Sequence, residues 1–150
     1  MSVGAFARAP SRPPALWPAL CGAAGAGLAQ AASLAWPGSG QPLWWLQIAS
    51  LAVLARLLTA SQAWQRGALL GGVFATAWLT GTFWWLYVSM HTYGGLAAPL
   101  AGAAVLALAA FLGSYYAGVS GLFVLLAPKE RAQRAIIFGA FWLLAELARG

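Results

Sequence analysis

The sequence predicts an all-α integral membrane protein: a polytopic helical bundle with four complete transmembrane helices and a truncated fifth. Three observations lead there. Of its 150 residues, 62% are hydrophobic and 7% charged, against roughly 25% charged in a soluble domain. Every charged residue falls into one of four short clusters, and two long runs, Pro13 to Ala55 and Gly67 to Pro128, contain no Asp, Glu, Lys or Arg. A bilayer core takes roughly 20 apolar residues per helical crossing, so each run has room for two. Each run also carries a neutral break near its middle, Trp36 to Pro42 in the first and His91 to Gly95 in the second.

Residues 1–14 are rich in Pro and Arg and read as an irregular cytoplasmic tail. The first span is expected over 15–36. Arg8 and Arg12, an apolar stretch and the small-residue triplet Ala29-Gln30-Ala31 also resemble a cleavable signal peptide. Against that reading, the apolar segment continues through Leu34 and Trp36 and a polytopic charge pattern follows. The second span is expected over 43–59, with Arg56 near its inner end, where a long side chain snorkels to the interface. The third and fourth, 67–89 and 96–127, are free of charge. The fourth exceeds what a bilayer requires and must tilt, kink or protrude, with Pro99 marking an irregular first turn. A fifth begins at Ala135 and is still apolar at Leu147; 135–150 gives about 24 Å of helix, short of a roughly 30 Å core. The expectation is a fragment of a longer protein.

If each run goes out and returns, Arg8/Arg12, Arg56/Arg66 and Lys129/Arg131/Arg134 share one face, which the positive-inside rule makes cytoplasmic. The N-terminus then lies in the cytoplasm. Trp36, Trp44 and Trp45 flank one outer turn and Trp84, Trp85, Tyr87 and Tyr93 the other, forming an aromatic belt. Small residues recur at spacing four on the fourth helix, as Gly113/Ala117/Gly121 and Ala110/Ser114/Gly118, a pattern that lets helices approach closely. The net charge of +6 comes from juxtamembrane pairs and one loop rather than a basic stripe with interleaved aromatics, so anionic lipid headgroups, not nucleic acid, are the expected partner. Cys21 is the only cysteine and has no partner for a disulfide or metal site. No metal or cofactor is expected.

Paired carboxylates, a nucleophile with its base, a phosphate-cradling glycine loop and a metal-ligand cluster are all missing from the sequence, so no catalytic residue is assigned to it. Two places carry candidate chemistry. The first is the aromatic segment and turn from Gly81 to Gly95, whose Trp85, Tyr87, His91, Tyr93, Gly94 and Gly95 offer hydroxyls, an imidazole and flexible backbone at headgroup depth. It reads either as a lipid or protein contact or as an interfacial belt with a tight turn. The second is Glu146 with Arg149, at spacing three on one helix face. An ion pair within a span is costly unless satisfied, so this is either a functional intramembrane pair or a helix-terminal pair at the interface.

At these two places the sequence resembles the apolipoprotein N-acyltransferase family. Thr82 to Gly95, with Trp85-Leu86-Tyr87-Val88-Ser89 and His91-Thr92-Tyr93-Gly94-Gly95-Leu96, is similar to that family's aromatic segment and Tyr/Phe-Gly-Gly turn. Trp142 to Gly150 resembles its Trp-x-x-x-Glu-x-x-Arg-Gly element, with Ala148 where a bulkier apolar residue is expected. The resemblance implies a bundle of about eight membrane helices carrying a periplasmic carbon–nitrogen hydrolase domain, of which this chain covers the early helices. It further implies a Glu-Lys-Cys triad in that domain. The triad takes an acyl chain from a phospholipid as a thioester and passes it to the α-amino group of an apolipoprotein's diacylglyceryl-cysteine. Cys21, in the first span without a Lys or Glu partner, is not that nucleophile.

For this chain the resemblance implies a supporting role in a bacterial inner membrane: anchoring the catalytic domain and helping to wall a cavity for acyl chains. Tyr87, His91, Tyr93, Gly94 and Gly95 are expected at its mouth, with Glu146 and Arg149 bracing the helix beneath. The implied partners are a phospholipid acyl donor, an apolipoprotein acceptor and the bilayer. Two other readings stay open, a small transporter or channel subunit and a noncatalytic membrane scaffold. The former is weakened by the lack of ionisable residues in the middle of the first, third and fourth helices.

Overall fold

Among the described residues, six α-helices and one π-helical turn form from the apolar segments of the chain. The computed structural model describes residues 15–34, 40–128 and 130–150. α1 spans Leu16–Leu34, α2 Trp44–Thr59, α3 Trp64–Thr82, α4 Trp84–Val88, α5 Ala98–Leu126 and α6 Arg131–Arg149, with the π-helical turn Ser89–Tyr93 between α4 and α5. The tail at 1–14, Trp36 with most of the first neutral break, and Lys129 lie outside the described residues.

Contacts between helices fix their directions. Gly22 of α1 faces Leu57 of α2, and the Leu43 N–H, just before α2, donates to the Ser33 carbonyl at 2.8 Å, so the first two helices run antiparallel. Gly27 and Gly81 of α1 and α3 face Phe74 and Ala31 in ascending order, which makes α1 and α3 parallel. Gly67 opposite Val124, Gly72 opposite Ala117 and Thr76 opposite Gly113 make α3 and α5 antiparallel. Tyr116 meeting Glu146 and Phe123 meeting Phe138 reverse the chain once more into α6. The long helices therefore alternate in direction. One end of the bundle collects Arg56, Arg66, Arg131 and Arg134 together with Trp17 and Trp64, and the other collects Trp44, Trp45, Trp84, Trp85 and Tyr93.

Small residues set how close the helices come. A Cβ at Gly27 would collide with the Phe74 carbonyl oxygen, and one at Gly71 with the Ser120 side chain, so α3 is clasped on both sides at near-backbone distance. The stripe Gly113/Ala117/Gly121 is the α5 half of that second contact. Around these crossings Leu54, Leu58, Leu70, Phe74, Leu79, Tyr116 and Phe123 are buried. A polar link joins α1 to α2 within this core: Ser50 Oγ donates to Gln30 Oε1, and Ser33 Oγ donates to the Gln30 carbonyl at 2.7 Å. Gln30, the centre of the cleavage-like triplet, is thus a packed core residue.

Three features depart from the sequence expectation. The expected helix 67–89 starts earlier, at Trp64, and is broken: Phe83 leaves the α-helical region at φ −89°, ψ 14°, and the chain bends by 52°. The Phe83 N–H closes α3 on Leu79 while its carbonyl opens α4 on Leu86, so few hydrogen bonds are lost at the bend. Pro99 does not distort α5, because it sits in the first turn, where a missing N–H has no helical partner to lose. The last helix starts at Arg131, taking Arg131 and Arg134 out of the loop and into its first turn.

Among the described helices, α5 alone is long and apolar enough to cross a bilayer by itself, and α3 with the segment through Tyr93 passes as a bent pair. α2 is apolar but shorter. α1 is rich in Ala and Gly, and α6 carries Arg131, Arg134, Glu146 and Arg149, which lowers the apolar character of both. The outward faces are nevertheless apolar: Leu100, Phe111, Leu125, Ile136 and Leu147 are all exposed. Soluble monomers rarely expose apolar patches beyond a few hundred Å².

Candidate functional site

The Glu146 carboxylate is the polar centre of the α3/α5/α6 contact. Helical spacing places Arg149 one turn further on, and its Nη2 donates to Glu146 Oε2 at 2.6 Å. The other oxygen, Oε1, accepts the Tyr116 hydroxyl of α5 at 2.8 Å. Both carboxylate oxygens are engaged by charge-assisted hydrogen bonds, which suits a structural anchor better than a proton acceptor. Along α5, Tyr116 stands about 27 Å from the helix start at Ala98. The pair therefore lies within the bundle and not at its aromatic end.

Aromatic rings enclose this cluster. The Arg149 guanidinium lies 5.8 Å from the centre of the Trp78 ring on α3, within cation–π range. Trp142, one turn before Glu146, stacks on Trp78 at 5.9 Å and tilts against Tyr116 at 5.0 Å. Phe74 meets the same indole edge-on at 5.8 Å. Trp78 Nε1 and Arg149 Nε are buried without a hydrogen-bond partner among the described residues. Sequence reading found Glu146 and Arg149 but missed Tyr116 and Trp78. No sequence signal separated them: a phenol needs a partner only once buried, and Tyr115 and Tyr116 stand side by side in the same uncharged run.

The candidate residues of the turn form a separate surface. His91 Nδ1 lies 2.8 Å from the Leu96 carbonyl, which can only accept, so Nδ1 carries the proton and Nε2 faces outward as an acceptor when the ring is neutral. The Tyr87 ring packs at 5.5 Å from the imidazole. Gly94 closes the π-helical turn on Ser89 and Leu96 on Met90, while Gly95 adopts φ +66°, a conformation that strongly favours glycine. Tyr93 is 84% exposed, and Trp85 is also exposed. No carboxylate of the described residues touches His91, and Glu146 is paired elsewhere.

A groove of about 800 Å³ lies between α3 and α5, lined by Leu69, Thr76, Thr80, Leu106, Ala110 and Ser114 among others. Two members of the second small-residue stripe, Ala110 and Ser114, thus open a groove rather than a contact. None of the six candidate residues of the turn lines it. A smaller groove of about 340 Å³ shares Leu28 with it and reaches Gly81, Thr82 and Trp84 at the bend. Among the described residues there is no group of acidic, His or Cys side chains able to hold a metal ion.

The model of the apolipoprotein N-acyltransferase N-terminal domain matches residues 24–150, which include the bend, the turn and the Glu146 cluster. The chain belongs to the apolipoprotein N-acyltransferase family. An apolipoprotein N-acyltransferase of Verminephrobacter eiseniae is 69% identical over 129 residues, covering 83% of this chain and 24% of the relative. That of Ralstonia nicotianae is 42% identical over 110 residues, 71% of this chain and 21% of its own length. A third, from Pseudomonas putida, is 39% identical over 114 residues, covering 72% of this chain and 22% of the relative. The chain spans about a quarter or less of the length of these apolipoprotein N-acyltransferases.

Proposed function

We propose that this chain is the N-terminal membrane portion of an enzyme that moves an acyl chain from a phospholipid to the α-amino group of a lipoprotein's N-terminal diacylglyceryl-cysteine. The family match along 24–150 carries this reading. The chain is assigned a supporting role, with the catalytic triad outside it. Its long helices cross a bacterial inner membrane in alternation, with the arginine end cytoplasmic and the aromatic end facing the periplasm; the gathering of Arg56, Arg66, Arg131 and Arg134 at one end supports this.

Within that arrangement the α3/α5 groove and its neighbour at the bend offer an apolar path for acyl chains toward the aromatic end. On this reading Trp85, Tyr87, His91, Tyr93 and the Gly94-Gly95 turn lie at headgroup depth, and the exposure of Trp85, His91 and Tyr93 supports contact with a polar headgroup there. The Glu146 cluster ties α6 to α5 and α3 and holds the walls of that path together.

The test is acyl transfer from labelled phospholipid to a diacylglyceryl-peptide, comparing the full-length protein with the 150-residue chain. Activity only in the full-length protein is the expected result. Activity in the chain alone would overturn the supporting role, and none in either would overturn the acyl-transfer reading.

A further inference from the structure

At the arginine end of the bundle a second groove, of about 490 Å³, opens between α2 and α6 with Phe123 of α5 as its floor. Its walls are Ile48, Leu51 and Ala52 on one side and Ala135 and Phe138 on the other. Arg56 and Thr59 join the α2 side, and Arg131 and Arg134 the α6 side. Three guanidinium groups from two helices far apart in sequence thus share one apolar groove, and no carboxylate lines it.

Two of these charges sit where a helix least favours them. Arg131 and Arg134 occupy the first turn of α6, whose backbone N–H groups and macrodipole already present positive charge. Arg56, near the last turn of α2, is favourably placed for its own helix but adds to the same field across the groove. The Arg134 Nε donates to the Pro128 carbonyl at 2.5 Å, which fixes that side chain at the groove. Glu130, the residue before α6, is exposed and outside the lining. Arg134 is already engaged within the protein, and the planar guanidinium forks of Arg56 and Arg131, gathered in the same field, match the oxygens of a phosphate.

We propose that this groove binds one anionic phospholipid, its phosphate between Arg56 and Arg131 and an acyl chain along Ile48, Leu51 and Phe138. The apolar walls select a lipid over a free anion, because a phosphate alone leaves them uncovered. This rests on the membrane-crossing reading above, in which the groove faces the cytoplasmic leaflet, the one that carries a negative surface potential. The site is distinct from the acyl path toward the periplasmic end: it lies at the opposite end of the helices and is a binding site rather than a reaction site.

Native mass spectrometry of the full-length protein in detergent tests the proposal, with phosphatidylglycerol and phosphatidylcholine of identical acyl chains added in parallel. One phosphatidylglycerol is expected to be retained about tenfold or more over phosphatidylcholine. R56Q/R131Q should abolish that preference. Because removing arginines can disturb insertion, Ile48→Trp provides a second route: it fills the groove at an exposed position without changing charge, and should lose the bound lipid while keeping the thermal midpoint. Equal retention of both lipids, or a preference that survives both variants, would overturn the proposal. So would displacement of the lipid by millimolar inorganic phosphate in the wild-type protein, which would reveal an anion site without acyl-chain recognition. Orientation in the membrane is read separately by cysteine labelling, so failure here and failure of the crossing pattern are distinguishable.

Discussion

Tyr116 on α5 donates its hydroxyl to Glu146 on α6 at 2.8 Å across 30 residues of sequence, and this bond turns a local helix pair into a tertiary clamp. Without it, Glu146 would be held, among the described residues, only by Arg149 of its own helix. Tyr116→Phe keeps the ring against Trp142 and Trp78 and removes one hydrogen bond to a charged acceptor. A loss of about 1.5–3 kcal/mol is expected. Thermal or denaturant unfolding of the full-length protein in detergent measures it; an unchanged midpoint would remove Tyr116 from the clamp.

Breaking the ion pair on one side should cost more than neutralising both sides. Glu146→Gln leaves the Arg149 guanidinium without its counter-charge against Trp78, and Arg149→Gln leaves a carboxylate with the Tyr116 hydroxyl as its sole partner among those described. Each single change is expected to destabilise by about 1–3 kcal/mol. The double variant Glu146→Gln/Arg149→Gln should recover part of that loss, a coupling of about 0.5–3 kcal/mol in a double-mutant cycle. Strictly additive losses would show that the two side chains do not act as a pair.

What was legible in the sequence follows from which signals a membrane-type sequence keeps. Glu146 and Arg149 are conspicuous because charge is scarce, and helical spacing alone brings them together. Gly113/Ala117/Gly121 is visible as a stripe of small residues, and it packs on α3. Tyr116 and Trp78 were not legible, since in a continuous apolar run neither period nor charge tells the buried side of a helix from the exposed one. The break at Phe83 was hidden for a similar reason: Gly81, two residues before it, is one of many glycines in this chain, no Pro stands beside it, and the apolar residues run on through Trp84 and Trp85. Gln30 carried a visible polar signal but no indication of its partner, Ser50, which lies across a hairpin.

The α3 crossings predict a sharp contrast among glycines. Gly71→Ala would drive a methyl into the Ser120 side chain and the Tyr116 carbonyl, and Gly27→Ala into the Phe74 carbonyl. Each should lower stability by about 1–3 kcal/mol, as overpacking does. Gly102→Ala, also helical but with nothing within 4 Å of the added carbon, should be neutral or stabilise slightly. Unfolding midpoints of the three variants check this; equal effects at all three sites would mean that helix propensity, not close approach, governs these positions.

Alternating helix directions make a labelling prediction that needs no activity. With Cys21 replaced by Ser, single cysteines at Gln62, between α2 and α3, and at Thr92, in the π-helical turn, lie at opposite ends of the bundle. Both positions are exposed, so reagent access and not burial limits their reaction. If the arginine end is cytoplasmic, a membrane-impermeant maleimide added to intact spheroplasts labels Thr92→Cys and spares Gln62→Cys until the membrane is opened. The reverse pattern would invert the orientation. Labelling of both sites in intact spheroplasts would mean that α3 does not separate two compartments, and the acyl path would then have to be reached from one face alone.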